Sequence, residues 1–186
     1  MKRMEIYTIG HSSHSQEVFK NMLKENKIEL LADVRAFPGS RKWPQFSKDE
    51  FPKWLNEEGI TYEHFLKLGG RRKKSKEIGE EVNAGWRNQS FHNYADYTLT
   101  EEFQIGINEL LEKAADKRTA YCCSERHPSR CHRLLISNYL VANGHIVKHI
   151  IDGNDDQIEV VEHEVGIWGA TAQVNDNETV TYPKNV

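Results

Sequence analysis

The sequence predicts an α/β fold: a parallel sheet with helices on both faces, formed as a single domain. Short β-branched apolar runs alternate with amphipathic stretches along most of the chain, as crossover-connected strands and helices do. Helix-start and helix-stop residues fall between these runs, and 186 residues fit one domain with little left for a second.

The elements follow in order. Glu5 to Ile9 reads as the first strand, closed by Gly10. Ser13 stands three residues before Gln16, a capping-box spacing, and opens a helix through Val18, Phe19, Met22 and Leu23. Ile28 to Val34 suits a buried strand and runs into the loop Phe37-Pro38-Gly39-Ser40. Ser47 and Glu50 form a second capping box before a helix with Phe51, Trp54 and Leu55 inward, its start disturbed by Pro52. Thr61 to Phe65 is the third strand. From Lys67 to Asn93 the pattern dissolves into glycine, charge and scattered aromatics, as in a long functional loop.

Thr100 and Glu101 begin a helix with Phe103, Ile107, Leu110 and Leu111 on one face. Thr119 to Cys122 is the fourth strand, a helix follows Pro128, and Asn143-Gly144 stops it. Ile146 to Ile151 is the fifth strand. Ile158 to Val161 and Thr179 to Tyr182 suit edge strands or a small hairpin. The expected division is an α/β domain over residues 1–151 and an acidic extension over 152–186, packed on it or trailing from it.

Composition narrows the function. With 38% hydrophobic and 28% charged residues and no apolar run of spanning length, the chain reads as a soluble protein without a membrane partner. Its opening residues lack a signal-peptide apolar region, and three cysteines make a poor disulfide framework, so a reduced, cytoplasmic protein is expected. The net charge of −3 hides an asymmetry. Between Arg35 and Lys76 stand eleven basic residues and five acids; from Ile151 onward stand eight acids and one lysine. One face is thereby suited to anions.

All three cysteines lie in the run from Cys122 to Arg133, which also holds Glu125, His127 and His132. Pro128 suits a first helical turn, which would place Cys131 near a helix N-terminus where dipole and free amides favour a thiolate. Cys123 falls at the strand end, and Cys122 is read as core. Two further clusters end neighbouring strands: Gly10-His11-Ser12 and Asp33-Val34-Arg35. Asp33 and Arg35 share a side by strand periodicity, as substrate ligands or as a structural ion pair. The fourth piece is Gly69-Gly70-Arg71-Arg72-Lys73-Lys74 with Arg41-Lys42-Trp43 before it, interleaved with Trp86 and Tyr94.

These motifs, Tyr7-Thr8-Ile9-Gly10-His11-Ser12, Asp33-Val34-Arg35, Pro38-Ser40-Arg41, Leu68-Gly69-Gly70-Arg71 and Cys123-Ser124-Glu125-Pro128-Cys131-His132-Arg133, occur in one colinear series. Together they resemble the family known as domain of unknown function 488, over roughly residues 5 to 151. The resemblance implies a Rossmann-like α/β domain with a shared polar site and no settled activity.

The expected function is enzymatic, with thiol chemistry on a phosphate-bearing substrate such as a nucleotide or nucleic acid. Cys131 is the expected nucleophile, Cys123 its partner, and Glu125 or His11 the proton carrier. Ser12, Asp33, Arg35, Arg41, Gly70, Arg71, His132 and Arg133 are the expected substrate-binding residues. No cofactor and no metal are expected on this reading. The alternative is a non-catalytic module in which Cys123, Cys131 and His132, with His11 or Glu125, hold zinc beside a basic nucleic-acid-binding loop. Adjacent residues such as Cys131 and His132 diverge by about 100° on a helix, which makes joint ligation awkward. A scaffold whose cluster is only a hydrogen-bonded corner is the third reading.

Overall fold

Three parallel strands form the centre of the molecule: β1 (Glu5–Gly10), β4 (Thr119–Cys123) and β2 (Leu30–Asp33). The computed structural model describes residues 2–152 and 157–184, so Asp155 and Asp156 of the acidic segment lie outside the described residues. With β3 (Thr61–His64), β5 (Ile146–Asp152) and β6 (Ile158–Glu162), these strands make a six-stranded sheet in the order β3-β2-β4-β1-β5-β6. Only β6 runs antiparallel, as an edge strand on β5. A separate two-stranded ribbon joins β7 (Gln173–Val174) and β8 (Val180–Thr181).

Two apolar layers cover the sheet. Phe19, Met22 and Leu23 of α1 (Gln16–Glu25) and Trp54 and Leu55 of α2 (Phe51–Glu57) pack on one face with Tyr7, Ile9, Leu31 and Cys122. The other face receives α3 (Gln89–Tyr97), α4 (Glu101–Asp116) and α5 (Arg133–Ala142), with Tyr94, Phe103, Ile107, Leu134 and Leu140 against Ile6, Ala32, Tyr121 and Cys123. The chain leaves β1 for α1 on one face and leaves β4 for α5 on the other. Adjacent parallel strands whose chains depart to opposite faces open a crevice at their C-terminal ends. This is the α/β single-domain architecture expected from the alternation, and its crevice lies between Gly10 and Cys123, which are paired in register.

Several local expectations are corrected. Helix α1 is capped by the Ser15 hydroxyl, which accepts from the Val18 amide at 3.1 Å, and Ser13 stands outside it. Ser47 contributes to α2 through its carbonyl, on which the Phe51 amide donates at 2.8 Å, and Glu50 occupies the cap without a side-chain bond. Helix α3 begins inside the stretch read as irregular, its first turn capped by Asn88. Among the described residues no helix is long and apolar enough to cross a membrane.

The segment after β5 packs on the domain. Tyr182 is buried against Trp86 with ring centroids 5.5 Å apart, and its amide donates to Asn83 at 2.9 Å. Trp86 and Tyr94 are therefore core side chains; Tyr94 also donates its hydroxyl to the Leu68 carbonyl at 2.8 Å.

Candidate active site

The turn after β4 forms the floor of the crevice. His127 accepts from the Ser129 amide at 3.2 Å and caps a short 3-10 turn, Pro128–Arg130. The chain then extends at Cys131 (φ −145°, ψ 173°) before α5 begins at Arg133. Pro128 therefore starts a separate turn, not α5, and Cys131 precedes the helix. The extended kink has a chemical consequence: the Cys131 sulfur receives the Arg133 amide at 3.4 Å.

The sulfurs of Cys123 and Cys131 lie 2.7 Å apart, and both thiols are free and buried. Beneath them runs the guanidinium of Arg133, wholly buried. Its Nε donates to the Cys123 sulfur at 3.0 Å and to the Cys131 sulfur at 3.3 Å. Its Nη2 donates to the Glu125 carbonyl at 2.7 Å and its Nη1 to the Thr8 hydroxyl at 3.0 Å. The two thiols are consequently unequal. Burial pushes Cys123 well up, and the proton it donates to Cys131 pushes it further. Burial also acts upward on Cys131, but the hydrogen bond from Cys123 and the Arg133 charge outweigh it and bring it down to about 7. Once Cys131 ionises, the proton left on the pair is held by Cys123, whose thiol burial keeps well up.

A cavity of about 560 Å³ opens above the sulfurs. Arg35, Arg41, Lys42, Arg71 and Arg130 line it, and Glu125 is the one acid in the lining among the described residues. Phe37, Trp43, Phe91 and Tyr94 supply aromatic walls; Phe37 is 71% exposed, with the Arg71 guanidinium 5.4 Å from its ring centroid. Gly70 is required by closeness: a Cβ there would lie 2.5 Å from Nδ1 of His132. His132 in turn donates Nε2–H to the Val34 carbonyl at 2.7 Å, and burial pushes it down to about 4, so the ring is neutral.

The structure thus brings His11, Arg35, Arg41, Gly70, Arg71, Cys123, Glu125, Cys131 and His132 to one cavity. It places three expected ligands elsewhere. Ser12 sits in the turn behind β1 at φ 46°, its amide on the Ser124 carbonyl at 3.0 Å. Asp33 is wholly buried, taking three bonds from the Arg35 guanidinium (2.7–3.1 Å) and one from Tyr62 at 2.5 Å. Arg133 lies below the sulfurs and does not line the cavity. His11 reaches the cavity wall but is not placed to carry protons. Its Nδ1–H donates to the Ser12 carbonyl at 2.9 Å, its Nε2 accepts from Arg35 at 3.2 Å, and burial pushes it down to about 4.

The basic run is divided. Arg71 faces the cavity, whereas Arg72 packs over the Tyr97 ring at 3.7 Å and donates to the Gly69 and Leu66 carbonyls. Lys74 pairs with Glu80. The zinc set is not assembled either, since His132 spends its Nε2 on Val34, and no group of three or more His, Cys, Asp or Glu among the described residues is arranged to hold a metal. Ser124, Arg130, Lys42 and Phe91 join the cavity although the sequence reading did not select them as ligands. Arg130 was legible in principle, being one residue before Cys131. Phe91 carried no such signal.

A sequence profile described as domain of unknown function DUF488 matches residues 14–140, which run from the start of α1 through most of α5 and include both site cysteines. No curated protein and no solved structure matches the chain. With well over half of its length matched, the chain belongs to the DUF488 family.

Proposed function

We propose that this protein is an enzyme that uses the Cys131 thiolate as a nucleophile on a phosphate-bearing substrate of about nucleotide size. The observation that carries the reading is the unequal thiol pair at the floor of a cation-lined cavity. Cys123 donates to Cys131, the buried Arg133 guanidinium touches both sulfurs, and Cys131 is brought down to about 7. A thiolate populated at neutral pH is the reactive form of cysteine. Arg41, Arg71 and Arg130 suit a phosphate group, and Phe37, Trp43 and Phe91 suit a planar ring beside it. Glu125, exposed at the mouth, is the group placed to exchange protons with solvent.

The test is alkylation followed by mass spectrometry of the intact protein. Cys131 should react with iodoacetamide with a midpoint near pH 7, Cys123 should not, and a nucleoside monophosphate should protect Cys131. An unreactive Cys131 at pH 7 removes the nucleophile, and an absence of protection removes the anionic substrate. The exposed Phe37 ring under Arg71 also suits stacking by an unpaired base, which favours nucleic-acid binding as a second reading. Oligonucleotide binding that weakens with salt and is lost in Phe37→Ala, without any protection of Cys131, would select that reading.

A further inference from the structure

Arg133 can only donate, so the Thr8 hydroxyl must accept from it. The single Thr8 proton then goes to its other neighbour, Nδ1 of His149, at 2.7 Å. This leaves the His149 proton on Nε2, which donates to Nδ1 of His163 at 2.9 Å. His163 in turn donates from Nε2 to the Asn138 oxygen at 2.7 Å, and the Asn138 amide nitrogen donates to the Tyr182 hydroxyl at 3.0 Å. Every bond in this buried series points away from Arg133, and each fixes the proton position of the next. Burial keeps both rings neutral, as the series requires, pushing His149 down to about 2 and His163 to about 4.

Backbone geometry sets the series up. Thr8 and His149 are register partners across β1 and β5. The His163 amide donates to the Val147 carbonyl at 2.8 Å just beyond β6, and Trp168 packs on both rings at 5.5 and 5.9 Å. Cys123, Cys131 and Arg133 lie within residues 14–140, whereas Thr8 belongs to the Tyr7–Ser12 motif ahead of that stretch and His149 and His163 follow it.

We propose that Thr8, His149 and His163 are positioning residues that hold the Arg133 guanidinium against the two sulfurs, so that β1, β5 and the chain just beyond β6 set the reactivity of the thiols in the turn after β4. The proposal rests on Cys131 being the reactive thiol. Without the Thr8 hydroxyl, Nη1 loses its acceptor, and the guanidinium is held against the sulfurs only from its Nη2 side, by the Glu125 and Arg126 carbonyls.

The intact protein is titrated with iodoacetamide from about pH 5 to 9, with the rate read at Cys131. Thr8→Val should raise the midpoint by about one unit, which is about tenfold slower alkylation at pH 6, and Thr8→Ser should restore it. His163→Leu should shift it the same way by less. An unchanged midpoint in folded Thr8→Val overturns the proposal. A wild-type protein with no midpoint near 7 instead overturns the thiol reading, so the two failures are distinct. Should Thr8→Val not fold, ¹⁵N spectra of the wild type decide. Nε2–H tautomers at both rings, with His149 resonances that move when Cys131 is alkylated, support the series. An Nδ1–H tautomer at His149, or resonances that stay fixed, overturns it.

Discussion

Two buried guanidiniums stand at the C-terminal edge of the same sheet, one on each face, and they are neutralised differently. Arg35, on the α1–α2 face, is held by the carboxylate of Asp33 and by the Phe46 carbonyl at 2.7 Å. Arg133, on the α5 face, has no carboxylate in an ion pair with it among the described residues; its partners are two sulfurs, a hydroxyl and carbonyls. A buried cation without an anion is costly. Under the proposed function the Cys131 thiolate is the counter-ion of Arg133: the charge that Asp33 takes up on one face is left to act on a thiol on the other. On the same proposed function, one arginine closes the sheet and the other prepares a thiol for chemistry.

The sharpest way to break this comparison is to remove each counter-ion. Asp33→Asn strands Arg35 in the core and should cost about 3–5 kcal/mol of stability in urea unfolding. Cys131→Ser leaves a polar hydroxyl beside Arg133 and should cost only about 1–2 kcal/mol while abolishing alkylation there. Equal losses would mean that both pairs are structural.

Gly10→Ala acts next. A Cβ at Gly10 would lie 1.7 Å from the Glu125 carbonyl oxygen and 2.8 Å from Nη2 of Arg133. Displacing that carbonyl should cost about 1–3 kcal/mol and slow alkylation of Cys131. A variant of unchanged stability and thiol rate would show that this anchor of Arg133 is dispensable.

Acid titration reaches both faces at once. Burial pushes His11, beside Arg35, and His132, beside the thiols, down to about 4, as it does His163; His149 falls to about 2. Their folded values lie below the unfolded value of about 6.5, so the unfolded chain takes up protons first as pH falls. The stability they confer is complete above about pH 6.5 and is lost progressively toward pH 4. The slope reaches up to about 1.4 kcal/mol per pH unit for each ring. Urea midpoints at pH 7 and 5 check this, and equal midpoints would contradict the neutral, buried rings on both faces.

Much of this was legible in the residues. Alternating runs gave away the parallel sheet, and the polar ends of β1, β2 and β4 marked the edge where the cavity lies. Cys122 was rightly read as core, because adjacent strand residues face opposite layers. The helical start at Pro128 misled, because a side-chain cap from His127 and an extended Cys131 interpose a separate turn. The aromatic interleaving misled at Trp86, which packs inward against Tyr182, whereas Trp43 and Tyr94 do line the cavity.

The sequence by itself determined the fold class and the local chemistry, because periodicity, turn residues and the grouping of thiols in one turn are properties of neighbours along the chain. The tertiary structure decided which arginine meets which partner. Asp33 is committed to Arg35, and Arg133 is left to the sulfurs. Thr8, His149 and His163, separated by 141 and 14 residues at successive bonds, become one series. Register between strands and the side on which each crossover returns create such partners, and neither is written in the spacing of the residues involved.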